Sequence, residues 1–110
     1  MGFYKENEGP VRMLSKVYAD TTGLYVHLPS HLRNRLEVVV GNRLEARLEQ
    51  ILSDTNRPDI IGFDAVLEVK GYWHEMYLPD DVVTKYCIRC HDLLQMTLYR
   101  IHQHGRIFDV

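Results

Sequence analysis

Cys87-Ile88-Arg89-Cys90-His91 is a run whose residue types and spacing match a known chemistry. Cys-x-x-Cys-His is the pattern of covalent haem attachment. Two thiolates at this spacing also supply half of a tetrahedral zinc site, with His91, His102 or His104 as further ligands. Each option meets an objection from the sequence itself. Haem is attached outside the cytoplasm, and residues 1–10 are polar, without the apolar core of an export signal. A closed zinc site needs four ligands, and the cysteines give two. Two ordinary cysteines beside a turn are the plainer reading. Neither a metal nor a cofactor is expected.

The second candidate chemistry is electrostatic. Arg33, Arg35, Arg43 and Arg47 lie close in sequence, with Arg12 and Lys16 upstream. Such cationic side chains contact nucleic-acid phosphates. Glu37, Glu45 and Glu49 are interleaved with them, so the run also reads as a solvated, salt-bridged face. Residues 11–60 carry seven Lys/Arg against six Asp/Glu, and residues 61–110 five against seven. A basic face therefore belongs to the first half. The formal charge of −2 excludes a generic polycation. The histidines are spread singly, and Trp73-His74-Glu75 reads as strand-edge packing. No Ser/His/Asp set, glycine-rich phosphate loop or paired carboxylate stands out, and no enzyme is expected.

The elements that carry these residues recur. Val26-His27-Leu28-Pro29-Ser30-His31-Leu32-Arg33 is answered fifty residues later by Met76-Tyr77-Leu78-Pro79-Asp80-Asp81-Val82-Val83. Leu36, Val38, Leu44, Leu48 and Ile51 then match Tyr86, Ile88, Leu94, Leu98 and Ile101 without a gap. A repeat of this period implies a duplicated supersecondary unit. Residues 13–19 alternate as a strand, Asp20-Thr21-Thr22-Gly23 turns the chain, and residues 24–28 return. Pro29 ends that strand and opens a two-turn helix over 30–36, mirrored at 80–86, where Asp80 and Asp81 suit the helix dipole. Helix-friendly residues fill 43–52, but the β-rich duplicate over 93–101 decides for strand in both. Residues 53–59 read as a polar linker, 60–69 as a long strand, and His104-Gly105 as a turn before a last strand.

With 110 residues and 45% hydrophobic content, the chain suits one domain with one core. Halves of fifty residues are too small to stand alone, so they are expected to share it. No apolar stretch approaches the ~20 residues that cross a bilayer. A cytoplasmic protein that makes no use of a membrane is expected.

Leu28-Pro29-x-x-Leu32-Arg33-x-x-Leu36-x-Val38-x-x-x-Asn42-x-Leu44-Glu45 resembles the AbrB/SpoVT family of swapped-hairpin DNA-binding domains. Leu78-Pro79-x-x-Val82-x-x-x-Tyr86-x-Ile88-x-x-x-Asp92-x-Leu94 resembles it a second time. The resemblance implies a mostly-β pseudo-twofold swapped-hairpin barrel with two short helices. It would be built here from one chain, as in the MraZ branch, rather than from two. The organisation expected is a flexible arm over 1–10 and one domain made of repeats 11–60 and 61–110. It further implies a DNA-binding transcriptional regulator whose basic residues touch the phosphate backbone. Arg33 matches the first arginine of the family's Leu-Arg-Arg run, with Arg35 displaced by one. Tyr25, Val83 and Thr84 stand where the family carries phosphate contacts. The expected DNA-binding set is Arg12, Lys16, Arg33, Arg35, Arg43 and Arg47, giving weak, salt-dependent binding to duplex DNA. The alternative is a protein–protein interaction module, or self-association, through the acidic second half and Tyr72, Trp73 and Tyr77.

Overall fold

Alternating apolar side chains build most of this chain into a single curled antiparallel sheet with the form of a half-barrel, carrying two short helices. The computed structural model describes residues 10–52, 58–71 and 73–110. Residues 1–9 of the expected arm, residues 53–57 of the expected linker, and Tyr72 lie outside the described residues.

The elements are β1 (Val11–Lys16), β2 (Tyr18–Ala19), β3 (Leu24–His27), α1 (Ser30–Leu36), β4 (Arg43–Leu52), β5 (Pro58–Lys70), β6 (Glu75–Tyr77), α2 (Asp80–Tyr86), β7 (Leu93–Gln103) and β8 (Arg106–Asp109). Both helices have the expected bounds, and residues 43–52 are a strand. Pro58 and Asp59, read from sequence as linker, already belong to β5. The sheet runs β1-β7-β4-β5-β6-β3-β2, with β8 sharing β7. Its path begins on β1 and ends on β2, which only Val17 separates, so the sheet curls round towards itself.

The prolines set where the helices begin. Pro29 and Pro79 lie at φ −57 and −61, extended in ψ, and their carbonyls accept the first helical bonds. The helices also stop alike. Glu37 and Cys87, both at φ 52, take the left-handed conformation that lets the chain turn back. Val38 N then donates to Arg33 O, and Ile88 N to Val83 O, while both apolar side chains are buried. Seven residues make too short a helix to persist unaided. Leu32 and Val82 anchor the two helices in the core.

Two ladders fix the register. β3 pairs with β6 about Val26↔Met76, and β4 pairs with β7 about Arg47↔Thr97, so each central pair joins residues fifty apart. The β4–β7 ladder skips Glu49 on one strand and Tyr99 on the other, again fifty apart. These bulges carry the alternation across a step. Leu44, Ala46, Leu48 and Ile51 are buried, whereas Gln50, which strict alternation from Leu44 would put on that face, is not. A reciprocal clasp joins the halves. Val17 N donates to Asp92 O and accepts from His91 N through its own carbonyl, at 2.8 and 2.7 Å. Val69 N donates to Asn42 O and Val69 O accepts from Gly41 N, at 2.9 and 2.8 Å. Val17 and Val69 are fifty-two apart, not fifty, because two strand pairs, Tyr18↔Tyr25 and Ala19↔Leu24, lie between Val17 and its four-residue turn, whereas one, Lys70↔Glu75, lies between Val69 and its own.

One core receives side chains from both halves: Leu28, Leu32, Leu44 and Leu48 with Leu78, Val82, Leu94 and Leu98. Leu36 and Tyr86, expected among them, are partly buried against its margin. Replacing fully buried Leu44 by Ala should cost about 2–5 kcal/mol, and Leu94→Ala a similar amount. Urea unfolding of the two variants measures this, and a loss near zero for either would mean that its half has no share in the core.

Candidate nucleic-acid interface

The outward face of the sheet carries four of the six expected basic residues. Arg12 and Lys16 alternate outwards on β1, and Arg43 and Arg47 on β4, with β7 between the two strands. Arg12 and Arg47 both pair with Thr97, which puts them about 10 Å apart across two strand spacings. Neither is idle. Arg12 Nε lies 3.7 Å from Glu49 Oε1, and Arg47 Nη1 lies 3.2 Å from Asp64 Oδ1. Such exposed pairs contribute little to stability, yet each lowers the positive charge that a phosphate would meet. Lys16 pairs with Leu93 and Arg43 with His102, at opposite ends of β7 and about 30 Å apart. The six residues therefore do not form one continuous patch.

A tighter grouping forms at the Arg43 end. Gln103, the last residue of β7, donates through Nε2 to Leu36 O at 2.8 Å, Glu37 O at 3.2 Å and Asn42 Oδ1 at 3.1 Å. One side chain thus fastens the end of α1, the turn that leads into β4, and the start of the β7–β8 hairpin. Arg33 and Arg35 occupy the last turn of α1, and Arg43 follows Asn42 directly. Arg106 opens β8 opposite Gln103. Among the described residues no carboxylate comes within ion-pair distance of Arg33, Arg43, Arg106 or Lys16. Glu45, the nearest outward acid on β4, is engaged by His102 Nε2 at 2.6 Å and Arg100 Nη1 at 3.7 Å.

Neither a family model, nor a curated protein, nor a solved structure matches this chain.

Cys87 and Cys90 are free and exposed, Cys87 at the left-handed end of α2 and Cys90 in the turn beyond it. Among the described residues no three His, Cys, Asp or Glu side chains converge as a metal site would require. Nor, among them, is any helix long and apolar enough to cross a membrane.

A second grouping is not evident from the sequence. Tyr18 stacks on Tyr25 at 5.9 Å, Tyr25 meets Tyr77 at 5.3 Å, and His27 stands edge-on to Tyr18 and Tyr25 at 5.0 and 5.5 Å. The arrangement follows from strand geometry. Tyr25 and His27 are two apart on β3, and Tyr18 and Tyr77 are the cross-strand partners of Tyr25. Tyr25 and His27 at alternate positions are the available signal, but pairing with Tyr18 and Tyr77 requires the register. Lys70 covers the Tyr77 ring at 5.5 Å, and the Tyr77 hydroxyl donates to Asp20.

Burial first, and then that hydrogen bond, push the Tyr77 phenol up to about 12 from an ordinary 10.0. The bond to Tyr77 is in turn the main reason that the Asp20 carboxyl is held below 3.8. For tyrosine the sign is that of a raised pKa. Its share of stability is complete below pH 10.0 and is lost as pH climbs through about 12. The Asp20 share is present above pH 3.8 and is lost on acidification. Ultraviolet titration should find one phenol ionising near pH 12, absent in Tyr77→Phe and moved part of the way back to 10.0 in Asp20→Asn. Burial also raises the Tyr25 and Tyr99 phenols, so the mark of Tyr77 is the loss of the step near pH 12, and a titration unchanged in Tyr77→Phe would contradict the assignment.

Proposed function

We propose that the chain is a DNA-binding transcriptional regulator of the AbrB/SpoVT type, with two such units joined in one polypeptide. The ladders centred on Val26↔Met76 and Arg47↔Thr97 favour this arrangement. So does the crossed clasp, in which the turn before β4 bonds to Val69 and the turn before β7 bonds to Val17. Two units that exchange hairpins produce this pattern of reciprocal pairing.

The observation that carries the functional part is the Gln103 clasp, which gathers Arg33, Arg35 and Arg43 at one end of the sheet. Cations fixed on a helix end and a strand start are suited to phosphate oxygens, which position a protein on the duplex. Sequence preference would then come from the shape of the DNA more than from its base edges. Arg12 and Arg47, each beside an acid, have the smaller part, and Lys16 touches the duplex as an outlier. The second repeat adds less, since Val83 and Leu93 stand where the first has Arg33 and Arg43, and only Arg35 has a basic counterpart, Lys85. Binding is therefore weak and one-sided.

The aromatic grouping supports a second reading, a protein–protein module. Tyr18, Tyr25, His27 and Tyr77 offer rigid ring surface beside Asp20 and Glu75, a composition suited to a basic protein partner.

Fluorescence anisotropy with mixed-sequence duplexes at low salt separates the two. Arg33→Ala/Arg35→Ala should weaken binding and flatten the log–log salt dependence by about 0.9 for each phosphate no longer neutralised. A variant that binds as wild type does, or a wild-type protein that binds no duplex at all, would leave the protein-partner reading in its place.

A further inference from the structure

A cleft of about 410 Å³ opens between the turn that leads into β4 and the β7–β8 hairpin. Asn42, Arg43, His102, His104, Gly105 and Arg106 line it, and among the described residues no carboxylate does. We propose that this cleft binds a phosphoryl group, its oxygens held by the guanidinium groups of Arg43 and Arg106.

The cleft is built rather than incidental. His104 and Gly105, at φ 52 and 72, form a two-residue hairpin loop with both residues left-handed, the type that matches strand twist. This loop fixes Arg106 opposite Gln103, and the three bonds of Gln103 hold that strand end against the turn bearing Arg43. Asn42 Oδ1 accepts from Val39 N at 2.9 Å and from Gln103, which leaves its amide protons as donors. Arg43 pairs with His102 on β7 and with Glu68 on β5. Glu68 lies 3.9 Å from Lys70 Nζ, and Glu45 is held by His102 and Arg100, so the carboxylates beside Arg43 and His102 on β5 and β4 have cations of their own. The two arginines have no ion pair among the described residues. A guanidinium offers parallel N–H donors that fit two oxygens of a phosphoryl group. The ligand is thus an oxyanion, either a backbone phosphodiester or free phosphate.

The cleft also lacks a twin. Where residues 41–43 are Gly, Asn and Arg, residues 91–93 are His, Asp and Leu. The buried Asp92 carboxylate there accepts from Arg89 N. An anion finds no grip beside it, and one site per chain is expected. The proposal deepens the DNA-binding reading, and it rests on that reading only for the source of the phosphate.

The test is an amide NMR titration of the isotope-labelled full chain with inorganic phosphate, against chloride at matched ionic strength, and separately with a mixed-sequence duplex. Phosphate should move the Gly41 and Gly105 signals saturably at one equivalent per chain, and leave Gly23 in place. Arg43→Gln/Arg106→Gln should weaken that binding by about tenfold or more while unfolding at the same temperature as wild type. Lys85→Gln, away from the cleft, should bind as wild type does. Phosphate that leaves Gly41 and Gly105 unmoved, or binds the double variant equally well, overturns the cleft even if duplex DNA binds through Arg33 and Arg35. Saturable phosphate with no duplex binding upholds the cleft, assigns free phosphate as its ligand, and removes the DNA reading alone.

Discussion

Because side chains alternate along a strand, a slip of one residue between β4 and β7 would turn the leucines of both strands towards water. The rest of the molecule depends on that not happening. β7 is the platform on which β1, β4 and β8 all pair, so its register sets where Arg12, Arg43 and Arg106 stand. The bulges at Glu49 and Tyr99 are part of the constraint. Each inserts one residue, bends its strand, and brings Ile51 or Ile101 back to the core face. Long strands can then curl around one core instead of extending as a flat ribbon.

Curling has a second effect, on the outer surface. Side chains that the core excludes are sorted by strand order into separate neighbourhoods. Tyrosines collect over β2, β3 and β6, where Tyr18, Tyr25 and Tyr77 meet. Opposed charges fill the middle of β4, where Arg47 meets Asp64 and Glu45 meets Arg100. Arg43 and Arg106, with no ion pair among the described residues, gather with His104 at the mouth of the β7–β8 hairpin. Aromatic rings, compensated charges and uncompensated arginines thus have distinct places on one sheet.

Much of the architecture is legible in the sequence. Pro29 and Pro79 fix the helix starts because proline presets the first helical φ, and the duplicate at 93–101 resolves the strand or helix ambiguity of 43–52. What escapes are the effects of cross-strand pairing. Nothing in the run Leu48-Glu49-Gln50-Ile51 announces that Glu49 will bulge, so simple alternation puts Gln50 on the wrong face. Glu49, Glu45 and Asp64 neutralise basic residues through contacts across the sheet, and only for Glu45 and Glu49 does nearness in sequence hint at it. Arg106 and His104 look like isolated turn residues until the hairpin folds them beside Arg43. The metal-like cysteine motif, the most conspicuous in the sequence, is a helix end and a turn.

The pairing of Val11 with Leu98 has a consequence for how the molecule comes into being. A chain made from its N-terminus holds β1 ready long before β7 exists. β4 likewise has one edge open until its neighbour arrives, and a pairing that spans most of the sequence must first overcome a large loop-closure entropy. The early strands, rich in leucine and valine, therefore wait exposed on the ribosome, in the state from which mispairing and aggregation begin. Yet once β7 has emerged its partner is always at hand on the same polypeptide, so closure is unimolecular and indifferent to dilution.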